Sequence, residues 1–125
     1  MTNNKNLDIR IYKKALIDYK SQIWKIIPLY EVGNEHIDGY IETISGEIFG
    51  MGTYIVDLPH GSWYVRVLNT LKKLELEPYS PDNFKKTRKE VLKMVNLIDK
   101  ELEHLKGLWT WVNINITLTE LIVVD

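Results

Sequence analysis

The chain has 125 residues, of which 45% are hydrophobic and 26% are charged, and its formal net charge is −1. This length is typical of one domain, and the apolar share excludes a disordered chain, so we expect a single domain over residues 1–125. The absence of cysteine excludes disulfides, thiolate metal sites and a cysteine nucleophile. There is no signal-peptide pattern and no run of ~20 apolar residues for a membrane span, so we expect a cytoplasmic protein.

Apolar residues at steps of three and four predict an amphipathic helix over about residues 7–27, with Pro28 ending it or lying just past its end. A second helix is predicted after Gly33, with Asn34 as its N-cap. Its apolar positions continue at steps of four and three over residues 37–58. This period passes through the stretch SGEIFGMG without a break.

The glycines of SGEIFGMG, residues 45–52, suggest a phosphate-binding loop, but their spacing does not fit one. The order is G-x-x-x-G-x-G, whereas a dinucleotide fingerprint needs G-x-G-x-x-G and a Walker loop needs Lys after its last glycine. On a continuous helix, small residues line up along one side, and we expect them to form a packing surface for a neighbouring helix. These residues are Gly39, Thr43, Gly46, Gly50 and Thr53. The alternative is a kink or break at residues 50–52.

Two further helices are predicted in the second half of the chain. Residues 63–74 carry apolar residues at helical spacing after Ser62, which favours a helix over a strand. Ser80 followed by Pro81 matches an N-cap with proline at the first helical position of a long helix. Gly107 is a natural terminator for that helix.

From residue 109 the pattern changes to an alternation of apolar and polar residues, which is a strand period. We therefore expect a mainly α fold, a bundle of about four helices with a C-terminal β segment, and α+β as the alternative. The segment, residues 109–124, would pair within the chain or between two copies in a homodimer.

No motif of catalysis or metal binding is complete. Glu101 and His104 have the E-x-x-H spacing, but a di-metal bundle needs two such pairs and two more carboxylates. We expect both residues on a solvated helix face. Ser45 is not in a nucleophile elbow. We therefore predict no catalytic residue, no cofactor and no metal, although acid–base catalysis by paired carboxylates stays open.

Basic residues cluster over residues 85–93, and aromatic residues could stack on bases, but the net charge of −1 argues against nucleic-acid binding.

The first half of the chain contains a basic segment followed by an acidic segment. Residues 1–30 hold six Lys or Arg and two Asp, whereas residues 31–57 hold six Asp or Glu and no Lys or Arg. Either the two segments lie next to each other and neutralise each other, or the acidic segment binds a basic partner protein.

Four carboxylates of the acidic segment fall near one line of the second helix, opposite its isoleucines, if that helix starts early. Like charges one turn apart destabilise a helix unless something compensates them. The compensating charge is either Lys13, Lys14, Lys20 or Lys25 of the first helix, or a basic partner protein. The predicted partner-binding residues are Glu31, Glu35, Asp38 and Glu42.

The run GYIETISGEIFGMGTYIVDLPHGSWYVRVL, followed by LEPYSPDNF, resembles small bacterial immunity proteins of contact-dependent growth inhibition systems. The resemblance covers residues 39–84 and brings no catalytic residue with it. It implies a non-enzymatic protein that binds and neutralises a cognate toxin domain in the cytosol. The alternative function is a small regulatory or structural module that dimerises through its C-terminal strand.

Overall fold

The computed structural model describes residues 5–52, 62–77 and 79–124, with side chains described for residues 9–52, 63–77 and 79–107. None of the described residues lies in a strand, so the predicted mainly α class is confirmed. The described helices are α1 (Lys5–Trp24), α2 (Ile26–Glu31), α3 (Ile37–Gly50), α4 (Ser62–Leu76) and α5 (Phe84–Val124), with a 3-10 turn at Pro81–Asn83.

The first predicted helix is present but is split into α1 and α2. The ring of a proline collides with the carbonyl four residues earlier, and α1 ends at Trp24, four residues before Pro28. The helix resumes at Ile26, so Pro28 lies in the first turn of α2, where an N–H group has no helical partner. Pro28 therefore breaks the helix upstream of itself, and the prediction that it marks the end was wrong.

The turn into α3 is closed by Asn34, although not in the predicted way. The Asn34 Oδ1 atom accepts a hydrogen bond of 2.8 Å from the His36 N–H group, and α3 begins only at Ile37. Gly33 has a φ of +72°, a left-handed conformation that favours glycine. The Ser80–Pro81 cap is confirmed, since the Ser80 side chain accepts a hydrogen bond from the Asp82 N–H group.

Among the described residues, no helix packs against the glycine face of α3, so the predicted packing surface was wrong. A Cβ atom added at Gly39, Gly46 or Gly50 would meet nothing within 4 Å. Thr53, the last position of that predicted surface, lies outside the described residues. The helix also ends at Gly50 instead of continuing, which is the break considered as the alternative.

Gly52 has a different role from the glycines within α3. A Cβ atom at Gly52 would collide with the Tyr64 hydroxyl. That hydroxyl donates a hydrogen bond of 3.0 Å to the Phe49 carbonyl in the last turn of α3. Gly52 therefore lets α4 approach the end of α3 closely.

We expect Gly39→Ala and Gly46→Ala each to raise the free energy of unfolding by up to ~1 kcal/mol, because alanine is the better helix former and its Cβ atom has open space. The matched change Gly33→Ala should lower it by ~1–2 kcal/mol, because residue 33 is left-handed. Urea titrations of the three variants measure both signs. Destabilisation by Gly46→Ala would show that another part of the protein packs on this face.

The core is formed by the apolar stripes of all the long helices. The isoleucines of α3 point inward as predicted, and each fully buried one stabilises the fold by ~1.5–3 kcal/mol. Helix α1 packs on α5, and α3 packs on α4. Since Tyr12 contacts Glu101 while Tyr30 contacts Ser80, α1 and α2 run antiparallel to the 3-10 turn and α5. The largest fully buried side chains are Leu16, Ile23, Ile26, Ile41, Ile44, Ile48, Leu71, Met94, Ile98, Val67 and Val91.

Helix α5 has 41 residues and continues through Gly107, so the predicted stop at this glycine and the predicted β segment at residues 109–124 were both wrong. Gly costs only ~1 kcal/mol inside a helix. A lone strand would leave its backbone groups without partners, whereas a helix satisfies its own. The tail also contains a helical period at Leu105, Leu108, Val112 and Ile116, which the alternating pattern obscured. Because residues 109–124 are helical, they form no strand that could pair with the same segment of a second copy.

Candidate functional site

The four predicted partner-binding carboxylates do not lie on one helix. Asp38 and Glu42 are in α3, Glu35 is in the turn before it, and Glu31 is the last residue of α2. The predicted line of four on one helix was therefore wrong, because α3 starts later than the pattern suggested. Asp38 still occupies the first turn of α3, where a negative charge is favoured by the helix dipole.

All four carboxylates are exposed, and among the described residues none forms an ion pair with Lys or Arg. The Glu35 Oε1 atom lies 3.9 Å from the His36 Nε2 atom, and both side chains are almost fully exposed. Lys20, one of the predicted internal compensators, pairs instead with Asp99 of α5 at 2.6 Å. Among the described side chains, the four carboxylates are thus not neutralised by ion pairs with Lys or Arg of the first helix.

A groove of about 430 Å³ lies between α3 and α4, and Glu42 is part of its lining. At 100° per residue, Asp38, Glu42 and Phe49 fall within about 40° of one another on α3, so the acidic side of this helix is also its groove side. We call this feature the α3–α4 groove. Its lining residues are Glu42, Ser45, Gly46, Phe49, Leu68, Asn69, Lys72 and Glu75.

Local sequence explains the form of the groove. Gly46 has no side chain and nothing stands within 4 Å of where its Cβ atom would be, so the wall of α3 is low at this point. Phe49 is one turn further along and is 72% exposed. It follows the buried Ile48, which takes the core position of that turn.

Charge in the groove is predominantly negative. Glu42 and Glu75 line it from opposite helices, and Lys72 is the one basic residue among the described lining residues. None of these three forms an ion pair with another described residue. The groove therefore presents two free carboxylates and one ammonium group beside an exposed aromatic ring.

Sequence reasoning identified Glu42 and Gly46 for separate reasons but did not bring them together. It missed Phe49 and the contribution of α4, including Glu75. One signal was available: Phe49 lies off the isoleucine stripe of α3, and a large aromatic residue outside the core stripe indicates a surface with another use.

A second depression, about 420 Å³, lies where α1, α2 and α3 meet. Its lining is mostly apolar, and the Tyr40 hydroxyl nearby donates a hydrogen bond of 2.8 Å to the Gln22 carbonyl. None of its described lining residues is acidic. Its lining residues are Lys25, Pro28, Leu29, Asn34, His36 and Tyr40.

A buried polar cluster joins three helices inside the protein. The Tyr12 hydroxyl of α1 donates a hydrogen bond of 2.7 Å to Glu101 of α5 and accepts one from the Trp63 indole N–H group of α4. Glu101 is 6% exposed, so its predicted place on a solvated face was wrong. Burial and the bond to Glu101 raise the pKa of Tyr12 well above its ordinary value of 10.0. The cluster is closed to solvent, and its contacts hold the helices together.

We expect the free energy of unfolding to fall as pH rises above about 10, where tyrosines of the unfolded chain lose their protons. Burial raises the pKa values of Tyr12, Tyr19 and Tyr40 in the folded protein. The folded state then holds protons that the unfolded state releases, so stability is lost with a slope of up to ~1.4 kcal/mol per pH unit per tyrosine. Urea titrations between about pH 9 and 11 measure this slope.

The control for this pH dependence compares two substitutions. Tyr12→Phe should flatten the slope, whereas Tyr79→Phe should not, because the Tyr79 side chain is exposed. Equal slopes in wild type and Tyr12→Phe would contradict the assignment to Tyr12.

Within the described ranges, no three His, Asp or Glu side chains are placed to hold a metal ion together. The helices of the same ranges include none with enough length and apolar character to cross a membrane. Comparisons of the chain with protein-family models, with curated proteins and with solved structures found no match.

Proposed function

We propose that this chain is a non-enzymatic immunity protein that binds a cognate bacterial toxin domain in the cytosol and neutralises it. The observation that carries the proposal is that Glu31, Glu35, Asp38 and Glu42 are all exposed and that none forms an ion pair with Lys or Arg among the described residues. The resemblance of residues 39–84 to immunity proteins supports the same reading.

The physical basis is charge complementarity with a basic toxin surface. A toxin that cleaves nucleic acid carries basic groups in its substrate cleft, because it must hold phosphates. Opposite charge on an inhibitor raises the rate of encounter and fixes the orientation of docking. Exposed carboxylates without ion pairs among the described residues are available for this use, whereas carboxylates already neutralised by α1 would have to break ion pairs first.

The test begins with the gene next to the one that encodes this chain. We expect it to encode a large protein with a toxic C-terminal domain, and we expect co-expression of this chain to restore growth of cells that produce that domain. The purified chain and domain should form a stable complex on size exclusion. A neighbouring toxin that kills the cells equally with and without this chain would overturn the proposal.

A further inference from the structure

We propose that the α3–α4 groove receives an arginine side chain of the partner protein, with the guanidinium group at Glu42 and Glu75 and the side-chain stem against Phe49. The inference rests on the proposed function and adds to it the position and chemistry of one contact. Three features of the groove carry it: its shape, its charge and its exposed ring.

The shape depends on Gly46, which packing does not explain. Glycine inside a helix is ~1 kcal/mol less favourable than alanine, and a Cβ atom here would meet nothing within 4 Å. No contact with the described residues therefore requires a glycine at this position. A side chain at residue 46 would project into the groove of about 430 Å³, so the glycine keeps the groove open for a group from outside.

The charge of the groove selects a cation. Glu42 and Glu75 supply two carboxylates from facing helices, and neither is paired with Lys72 or another described cation. A guanidinium group can donate to both carboxylates at once through its planar fork, which a lysine ammonium group on a flexible stem does less well. Charge complementarity thus favours arginine.

The exposed ring supplies the third contact. Phe49 is 72% exposed and lies on the same side of α3 as Glu42. The methylene stem of arginine covers apolar surface that would otherwise meet water, so it gains from contact with this ring while the guanidinium group lies at the carboxylates. Leu68 of α4 also lines the groove and adds to this apolar contact.

The test uses a capped tripeptide, acetyl-Gly-Arg-Gly-amide, titrated into the isotopically labelled full chain and followed by NMR. We expect saturable shifts of the amide signals of Gly46, Phe49, Leu68 and Asn69. The matched peptide with lysine should bind at least threefold more weakly, and the neutral citrulline peptide should cause no shift. Equal responses to arginine and citrulline, or shifts spread over the whole surface, would overturn the inference.

Two glycine variants separate occlusion of the groove from a change in folding. Gly46→Leu should reduce binding of the arginine peptide at least tenfold while the melting temperature is retained or raised, since leucine is the better helix former and has open space. Gly39→Leu is the control, because Gly39 is on the same helix, has equally open space and is not part of the lining. Unchanged binding to Gly46→Leu would also overturn the inference.

The same variants distinguish failure of this inference from failure of the proposed function. If the toxin domain binds wild type and Gly46→Leu equally well, the arginine subsite is wrong and the immunity function stands. If the arginine peptide binds in the groove but no neighbouring toxin is neutralised, the immunity function is wrong and the subsite stands.

Discussion

We expect the double variant Asp38→Lys/Glu42→Lys to bind the cognate toxin domain ~100-fold more weakly than wild type at low salt. Each reversal replaces an attraction by a repulsion, at roughly tenfold or ~1.4 kcal/mol per site. Both side chains are exposed and have no ion pair in the described part of the chain, so their replacement costs the fold only the ~0.3–1 kcal/mol of the favourable position of Asp38 in the first turn of α3. Calorimetry with the purified toxin domain measures the change.

Salt and a matched charge change provide the controls. The loss should shrink as salt is raised, because exposed charges are screened over ~10 Å at 0.1 M. Asp18→Lys/Glu103→Lys changes the net charge equally at two exposed acidic residues of α1 and α5, and it should weaken binding less than threefold. Equal losses in both double variants would show that only the total charge matters and would contradict the assignment of Asp38 and Glu42 to the interface.

The second large effect is on stability: we expect Tyr12→Phe to lower the free energy of unfolding by ~3 kcal/mol. The change removes the donor to the buried Glu101 carboxyl group and the acceptor of the Trp63 N–H group. Each buried polar group left without a partner costs ~1–3 kcal/mol. The melting temperature should fall by about 10 °C for a chain of this size. Urea and thermal unfolding at neutral pH measure both quantities.

Two further variants identify the cause of that loss. Tyr40→Phe deletes a hydroxyl whose bond to the Gln22 carbonyl is only partly buried, so water can replace it and the loss should stay under ~1 kcal/mol. Tyr12→Phe/Glu101→Leu should be less destabilised than the sum of its single changes, because the double change leaves no carboxyl group without its donor. Strict additivity would mean that Tyr12 and Glu101 act independently.

The elements that could be predicted from the sequence are those governed by local rules. The isoleucine period of α3, the Ser80–Pro81 cap and the helical reading of residues 63–74 are all present. They depend on side-chain spacing and on hydrogen bonds between near neighbours, which the sequence displays directly. Helix ends were less reliable: Pro28 lies inside α2, and Gly107 does not stop α5.

In the candidate site, local sequence rules found the residues but did not predict which of them are exposed and which are covered. The acidic residues were found as a charge pattern, and the glycines were found as a small-residue pattern. The first pattern predicted an exposed surface and the second predicted a packed one, but the structure exposes both. Which of them is covered depends on the elements that lie across from α3, and none of the described residues packs on Gly46. Glu101 was misplaced for the same reason, since its burial comes from Tyr12, 89 positions away in the chain.

The sequence by itself determined the mainly helical class and the apolar stripes of the helices up to residue 105, because a 3.6-residue period and its caps are properties of neighbouring residues. It also determined the charge segregation between the first 30 residues and the next 27. Only the tertiary structure decided that α4 lies beside the acidic side of α3 and that Glu42, Gly46, Phe49 and Glu75 share one groove. The physical reason is that a groove is a relation between two helices, and the packing of their buried stripes sets which exposed residues face each other.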